Sequence, residues 1–350
     1  MSSWINYKSY EKGGIGAELM NFFLRENAKP LGEGKYTPRT LHDFLDNCPK
    51  RHRDRHENLG LIIRTFCHRL IAEGQLFSVG FDPEQDLPYS EQFFSYFFIE
   101  SLAEYGAYDF TALGFTEVVH RFSPSVIKLN VKPIESSEEF SGTGFLIESN
   151  RMVTAAHCLP PNSDVSIDNW NSAEHPIKSI KTFGVTDPSR PVLTTRGLVD
   201  LAIIEFESDP FPDAPKFRLW GAGVLDECLV MGYPNIAGFD FYQIAGTGQI
   251  INEHFSYNRK HNMVFVDVRV KGGNSGGPVI NRLGKVIGVI TNAESEDEET
   301  LGKLGYALAT PAQTLLDLVN ALDPVEPRFE KELYEISFQP KVDNTMWIIN

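Results

Sequence analysis

From about residue 118 onwards, the sequence consists of short apolar runs that glycine and proline interrupt at regular spacing. The runs are rich in β-branched residues, and many short strands with turns between them predict a β-barrel or a β-sandwich. We expect strands at 125–131, 142–149, 152–156, 201–206, 228–234, 248–252, 264–270, 278–281 and 286–291. Residues 310–322 predict a closing helix, because their apolar positions fall on one face.

The first part of the chain has a different texture, in which helical patterns dominate. Thr37 and Pro38 can begin one helix, and residues 58–72 indicate a second that ends near Gly74. Ser90 can cap a third helix through the aromatic run that follows it.

The chain is therefore predicted to be multi-domain. We expect a mainly helical domain at 1–117, an all-β domain at 118–322 and a C-terminal tail at 323–350. The order of elements over 38–82 is loosely similar to a winged-helix domain or to a small helical bundle. The tail carries prolines and charges, so we expect it to pack along the surface or to reach a partner.

Charge narrows the range of partners. The chain has 350 residues and a formal net charge of −15, which disfavours non-specific binding to nucleic acid or to an anionic membrane. A basic segment at 49–56 could contact nucleic acid or an acidic protein, but a solvated helix face or loop is the simpler interpretation. No apolar run approaches the length of about 18 residues that a membrane span needs, and the first residues do not resemble a secretory signal.

Cysteine usage favours a reducing compartment. The four cysteines are scattered along the chain, at Cys48, Cys67, Cys158 and Cys228. This scatter argues against a zinc site and a disulfide scaffold, and we expect a cytoplasmic location. His52 and His56 have a spacing that suits a metal on a helix, but no third ligand lies nearby in sequence, so we expect no metal.

The segment GGNSGGP at 272–278 places Ser275 at the tip of a glycine-rich turn. A serine hydroxyl is a poor nucleophile near neutral pH, so it needs a base within hydrogen-bond reach, and a third group must fix the tautomer of that base. Such a turn can direct backbone N–H groups, here those of Gly273 and Ser275, at a developing oxyanion. Taken alone, the segment could also be a plain loop.

Two further segments supply the partners for such a serine. VTAAHCL at 153–159 places His157 just after an apolar strand, where a base at a barrel edge would lie. GLVDLAIIEF at 197–206 places Asp200 at the start of a strongly apolar strand, where a buried carboxylate must be paired or hydrogen-bonded. The alternative is a satisfied core histidine and a strand-end cap.

In the order His, Asp, Ser, these segments resemble those of the trypsin-like, chymotrypsin-fold serine peptidases, with the bacterial HtrA/Deg branch as the nearest. Similar strings occur at 125–129, 142–147, 231–234 and 305–311. The resemblance covers roughly 120–322 and implies two orthogonal β-barrels with the active site in the cleft between them. It implies that His157 is the general base, Asp200 its orienting acid and Ser275 the nucleophile.

The chain also departs from this family. Secreted members pair the cysteine of AAHC with a cysteine in the preceding strand, which here has none, so we expect Cys158 to be a free buried thiol. Digestive members carry an aspartate before the catalytic serine, where this chain has Asn274, which argues against activation by a clipped N-terminus. HtrA-type members usually continue into PDZ domains, for which the residues after 322 are too few.

Arg269 lies six residues before Ser275, a position that resembles the floor of the primary specificity pocket. An arginine there could select an acidic side chain, although an outward-facing surface residue is the favoured alternative. An acidic segment at 293–300 also opposes the selection of acidic substrates. By resemblance, the pocket wall would consist of Thr291, Asn292, Ala293 and the stretch around 305–307.

These features predict an ATP-independent, cytoplasmic serine endopeptidase that acts through an acyl-enzyme, with no metal or organic cofactor. We expect protein or peptide substrates, and a regulatory or partner-binding role for the domain at 1–117. Two alternatives remain open. One is a catalytically silent binding or scaffold protein that has kept the barrels, and the other is an esterase with the same triad.

Overall fold

A computed structural model defines the fold, as an N-terminal region of helices and small sheets followed by two β-sheets of the chymotrypsin fold. This agrees with the two predicted textures of the sequence. The structure describes residues 12–32, 35–50, 58–83, 88–134, 139–160, 162–168, 174–183, 199–235, 242–256, 261–291 and 306–322. The predicted tail and most of the basic segment at 49–56, including His52 and His56, lie outside these residues.

The N-terminal region contains six helices among its described residues. They are α1 (Ile15–Phe22), α2 (Leu41–Asn47), α3 (Leu59–Ala72), α4 (Glu100–Tyr105), α5 (Ala107–Leu113) and α6 (Phe115–Phe122). Its strands are β1 (Lys29–Gly32), β2 (Lys35–Thr37), β3 (Arg39–Thr40), β4 (Phe77–Phe81) and β5 (Glu91–Phe94). The order β3-β5-β4 forms a three-stranded sheet within the helices, which favours the winged-helix alternative over an all-helical bundle.

Two predicted helix starts in this region are wrong. The N-cap of α2 is Thr40 rather than Thr37: its hydroxyl accepts from the Asp43 N–H at 3.0 Å, and the Asp43 carboxylate accepts from the Thr40 N–H at 2.8 Å. This is a reciprocal capping box. Ser90 precedes strand β5 rather than a helix, because burial alternates along that strand and its backbone pairs with β3 and β4.

The first β-sheet of the chymotrypsin fold has the strand order β10-β11-β8-β7-β6-β9. Its strands are β6 (Val126–Pro133), β7 (Phe140–Glu148), β8 (Arg151–Thr154), β9 (Ser163–Ile167), β10 (Ile177–Phe183) and β11 (Leu201–Phe206). Every pairing in it is antiparallel. An apolar core of its own fills one face of the sheet.

The second sheet closes into a barrel with the order β12-β13-β14-β17-β16-β15. Its strands are β12 (Glu227–Gly232), β13 (Ile244–Ser256), β14 (His261–Val266), β15 (Pro278–Asn281), β16 (Val286–Ile290) and β17 (Ala307–Pro311). The closing helix α7 (Ala312–Leu322) follows directly. All nine predicted strands are present, although β14 ends at Val266 rather than at 270. None of the helices in the described residues is long and apolar enough to cross a membrane.

The apolar core is continuous between the N-terminal helices and the barrels. Phe122 of α6 stacks on Phe217, between β11 and β12, with ring centroids 4.2 Å apart. The Tyr105 hydroxyl of α4 donates to the carbonyl of Gly284, in the turn between β15 and β16, at 2.6 Å. Phe110 of α5 packs against the same turn, because a Cβ on Gly284 would lie 2.5 Å from its ring.

The predicted domain boundary at residue 117 falls inside α6. Val118 and Phe122 on this helix are fully buried in the shared core, so the helix belongs to both parts of the chain. That residues 118–322 fold alone stays a prediction. A chain shortened near residue 117 would lose part of the shared core, so we expect it to be less stable than the full-length chain.

Candidate active site

The first barrel brings His157 and Asp200 to the same sheet edge. His157 follows β8 in a short 3₁₀ turn, and Asp200 immediately precedes β11. Strands β8 and β11 are antiparallel neighbours, with Thr154 opposite Ala202. The end of one strand therefore lies beside the start of the other, which explains how residues 43 positions apart meet.

Two side-chain hydrogen bonds join this pair. Asp200 Oδ2 lies 2.8 Å from His157 Nδ1, and Asp200 Oδ1 accepts from the His157 backbone N–H at 2.9 Å. A third bond runs from the Ala156 N–H to the Asp200 carbonyl at 3.2 Å. With a carboxylate at Nδ1, the Nδ1 proton is retained and Nε2 becomes the free nitrogen of the neutral ring, as a general base requires.

Asp200 adopts a backbone conformation that is uncommon for a residue other than glycine, with φ of 51°. Aspartate tolerates the left-handed region better than most residues, but the conformation is still less favourable than an ordinary extended one. The three bonds to Ala156 and His157 hold the residue in this geometry. Such local strain is common at functional sites.

Cys158 lies against the nitrogen that would act as the base. Its Sγ is 3.7 Å from His157 Nε2 and 3.6 Å from the Ser275 carbonyl oxygen. Burial lowers the pKa of His157, but the hydrogen bonds and charges of Asp200 and Cys158 outweigh it and raise that pKa to about 10. The raised pKa favours the protonated imidazole, which must lose its proton before His157 can act as a base.

The second barrel supplies the Ser275 turn, between β14 and β15. The peptide that carries the Gly273 N–H is fixed by a bond from the Asn235 N–H to the Gly272 carbonyl at 2.7 Å. Gly273 has a φ of 96°, and a Cβ there would lie 2.3 Å from the Tyr233 carbonyl oxygen. Only glycine fits this position without a backbone shift.

The peptide that carries the Ser275 N–H is fixed separately. The Gly277 N–H donates to the Asn274 carbonyl at 2.9 Å, and the Gly276 N–H donates to the Ile290 carbonyl at 2.7 Å. Ser275 itself is buried, with 5% of its surface exposed. The turn is therefore held by its own backbone and by β16.

The two expected oxyanion donors are both available. Within the part of the chain that the structure describes, neither the Gly273 N–H nor the Ser275 N–H donates to a protein acceptor. Buried backbone N–H groups are rarely left without a partner, so an open pair beside a serine fits an anion-binding role.

Among the described residues, no hydrogen bond joins Ser275 to His157. The structure thus assembles the Asp–His half of the predicted triad, and Cys158 bridges it to Ser275. Catalytic hydrogen bonds in structures without substrate are often long or misaligned, so this gap does not exclude the triad. The individual triad roles remain predictions.

The pocket residues are partly described. Arg269 is exposed and lies in the segment after β14, which is compatible with either of its two predicted orientations. Thr291 is fully buried, and its hydroxyl has no hydrogen-bond partner within the described chain. Asn292, Ala293 and the acidic segment at 293–300 lie outside the described residues.

All four cysteines lie in the described residues and are buried, and none forms a disulfide there, as predicted for Cys158. A Cβ on Gly142 of β7 would lie 2.8 Å from Cys158 Sγ, so this glycine provides the space that the thiol fills. Sequence reasoning missed the contact of Cys158 with His157, and also the supporting roles of Thr143 and Tyr233. A threonine between two glycines, directly before the apolar residues 145–147, was the available signal for Thr143.

A two-barrel fold, an Asp–His pair at the edge of one barrel and a glycine-framed serine in the other define a trypsin-like serine peptidase domain. A family model described as "Trypsin-like peptidase domain" matches residues 142–289. The chain therefore contains a domain of this family, as the sequence motifs predicted.

Curated proteins and solved structures similar to this chain include bacterial serine proteases. The chain is 28% identical over 191 residues to the serine protease Rv3671c of Mycobacterium tuberculosis, across 52% of this chain and 44% of the relative. It is 25% identical over 208 residues to a probable periplasmic DegP-like serine endoprotease of Marinomonas sp., across 58% of this chain and 40% of the relative. The crystal structure of the active form of Rv3671c protease covers 62% of this chain and 88% of its own, at 23% identity and a TM-score of 0.44. The chain thus spans less than half of the length of these curated relatives.

Proposed function

We propose that the chain is an ATP-independent serine endopeptidase, with protein or peptide substrates. The observation that carries this proposal is the open pair of N–H groups at Gly273 and Ser275, within the described chain, on either side of Asn274. Two free backbone donors beside a serine serve the oxyanion of an acyl-transfer reaction. Membership of the trypsin-like family supports the same reaction class.

We expect the acyl-transfer chemistry that such a triad performs. His157 Nε2 takes the proton of Ser275 Oγ as that oxygen bonds to the carbonyl carbon of the scissile peptide. The carbonyl oxygen becomes an anion and accepts from the Gly273 and Ser275 N–H groups. The C–N bond breaks, and the amine leaves with the proton from His157. Water then attacks the acyl carbon and gives a proton to His157. The bond from the acyl carbon to Ser275 Oγ breaks, His157 returns the proton to that oxygen, and the acid leaves.

A catalytically silent binding protein is the second candidate, and one observation favours it. His157 Nε2 faces the Cys158 sulfur at 3.7 Å, and in the described residues it makes no bond to Ser275. For turnover, the imidazole must lose its proton and turn Nε2 from sulfur to the serine hydroxyl. A protein that never makes this change would keep the fold and have no activity.

A fluorophosphonate probe and peptide hydrolysis distinguish the two candidates. The probe bonds to an activated serine oxygen and expels fluoride, so the full-length wild-type chain should be labelled. Ser275→Ala should lose labelling and about 10⁶-fold in turnover. Ser125→Ala is the matched control, because Ser125 is a fully buried serine away from the site. Its hydroxyl donates a hydrogen bond to the Pro215 carbonyl. No labelling of wild type, or labelling that survives in Ser275→Ala, would contradict the proposal.

Regulation by the N-terminal region is part of the proposal. The shared core that contains Tyr105, Phe110 and Phe122 supports it, because a change in these helices must be transmitted to barrel residues that pack on them. We also propose a cytoplasmic location, which is supported by four cysteines that form no disulfide in the described chain. A comparison of hydrolysis of ester and peptide substrates tests the esterase alternative.

A further inference from the structure

Thr143 is a polar residue in an apolar setting. It lies in β7 of the first barrel, between Gly142 and Gly144, and none of its surface is exposed. A buried hydroxyl needs a partner, since leaving it unpaired carries a desolvation cost. The partners of Thr143 are not in its own sheet but in the second barrel.

The Thr143 hydroxyl makes two hydrogen bonds, one as donor and one as acceptor. It donates to the Gly273 carbonyl at 2.6 Å and accepts from the Tyr233 N–H at 3.0 Å. Tyr233 follows β12, and its carbonyl oxygen is the atom that a Cβ on Gly273 would meet. A single hydroxyl therefore joins the first barrel to two segments of the second.

The backbone of Thr143 holds the other side of the same turn. Its N–H donates to the Ser275 carbonyl at 2.9 Å. Its carbonyl oxygen would lie 2.2 Å from a Cβ on Gly276, so the two backbones are in close contact there. The peptides after Gly273 and after Ser275 are thus both bonded to one residue, and the peptide between them carries the Ser275 N–H.

We propose that Thr143 is a positioning residue that holds the serine turn in the conformation with an open oxyanion hole. The inference rests on the proposed function, because it assigns to Thr143 the geometry of the Gly273 and Ser275 donors. Without the hydroxyl bond, the peptide after Gly273 loses the support of its carbonyl and keeps the bond from the Asn274 N–H to the Lys271 carbonyl at 3.0 Å, so it is less restrained against rotation. A rotated peptide misplaces the neighbouring N–H groups, which act on the transition state more than on the bound substrate.

Valine and serine separate the hydroxyl from the shape of the side chain. Thr143→Val keeps the branched shape but removes both hydroxyl bonds. Thr143→Ser keeps the hydroxyl and removes one methyl group. Thr40→Val is the control, because Thr40 is also a fully buried threonine, but its hydroxyl accepts from the Asp43 N–H at 3.0 Å in the N-terminal region.

The test measures kcat, KM and backbone amide exchange in residues 272–277 for wild type and the three variants. Thr143→Val should lose at least about tenfold in kcat with KM nearly unchanged, since removal of an oxyanion donor itself costs about 10²–10³-fold. Its exchange in 272–277 should be faster. Thr143→Ser should stay close to wild type in both, and Thr40→Val should keep its kcat.

Three results would overturn the inference. They are wild-type kcat and exchange in Thr143→Val, an equal loss in Thr40→Val, and failure of Thr143→Ser to retain activity. Amide exchange does not depend on turnover. If wild type has no peptidase activity, the proposed function fails, and the exchange of Thr143→Val still decides whether the hydroxyl holds the turn.

Discussion

His157 and Asp200 are joined by bonds between their own atoms, whereas the Ser275 turn is fastened by residues from several other segments. On the histidine side, two hydrogen bonds to the Asp200 carboxylate orient the imidazole of His157. On the serine side, different peptides of the turn are each held by a residue from another segment. These residues are Thr143 of β7, Asn235 after β12 and Ile290 of β16. One side therefore depends on charge, and the other on neutral hydrogen bonds and close packing.

This difference separates the two kinds of failure that the site can undergo. Loss of an interaction on the histidine side should change the pH dependence of activity, because it alters the protonation of the imidazole. A loss on the serine side should lower kcat at every pH, because it moves uncharged donors. The following variants test this distinction.

Asp200→Asn should have the largest effect on the histidine side. An amide keeps the shape but favours the wrong tautomer of His157, and we expect about 10⁴-fold lower turnover. The loss of the carboxylate also removes a cause of the raised pKa of His157, so the pH profile should change. Peptide hydrolysis across a pH series is the measurement.

The matched control is Asp168→Asn. The Asp168 carboxylate lies away from the site and accepts a hydrogen bond of 2.8 Å from the Asn130 side-chain amide. It should keep its turnover. Wild-type activity in Asp200→Asn would mean that another carboxylate orients His157.

Cys158→Ala should have an intermediate effect, because this side chain lies between the two sides. The pKa of His157 is raised to about 10, with Cys158 as one of the causes after burial and Asp200. The neutral imidazole is the base, so activity rises as pH increases through this pKa. Removal of the sulfur should lower the pKa of His157 and move the rise of kcat/KM to lower pH. For each pH unit by which the rise moves, activity at neutral pH should increase about tenfold.

Cys228→Ala serves as the control, because Cys228 is a fully buried thiol of β12. It should leave the pH profile unchanged. An unchanged profile in Cys158→Ala would show that the thiol does not influence the base, and that Asp200 alone sets its pKa.

The chemistry of the site was predictable because it is local in sequence. A nucleophilic serine needs glycine neighbours, and strand β11 is apolar at nearly every position, so both Ser275 and Asp200 stand out. Strand β10 was missed, because one of its faces is only half-buried, the other is exposed, and its sequence lacks an apolar run. The helix expected after Ser90 was wrong, because an aromatic run fits a strand of alternating burial as well as a helix.

Contacts between barrels could not be predicted in the same way. The bond from Thr143 to Gly273 joins residues 130 positions apart, and the contact from Cys158 to Ser275 joins residues 117 apart. Nothing local at either position indicates its partner. The continuous core between α4–α6 and the barrels was also missed, because apolar helix faces do not reveal which surface they cover.

The smallest expected effect concerns the support behind the serine side. The Tyr105 hydroxyl donates to Gly284 at 2.6 Å and accepts from the Arg218 N–H at 3.2 Å. Gly284 lies in the turn after β15, the strand that begins at Pro278, directly after the Ser275 turn. Tyr105→Phe leaves a buried carbonyl without its donor, and we expect the free energy of unfolding to fall by about 1–3 kcal/mol.

Tyr108→Phe is the matched control for this change, because it also removes a buried hydroxyl, one that accepts from the Ile99 N–H at 3.0 Å inside the N-terminal region. Both variants should lose similar stability in denaturant unfolding. Only Tyr105→Phe should lower kcat, by a few-fold and equally at every pH, because only its hydroxyl contacts the barrel that carries Ser275. If the two variants lose the same stability and both keep wild-type kcat, the N-terminal helices do not control the serine side, and a docking role for that region becomes the better hypothesis.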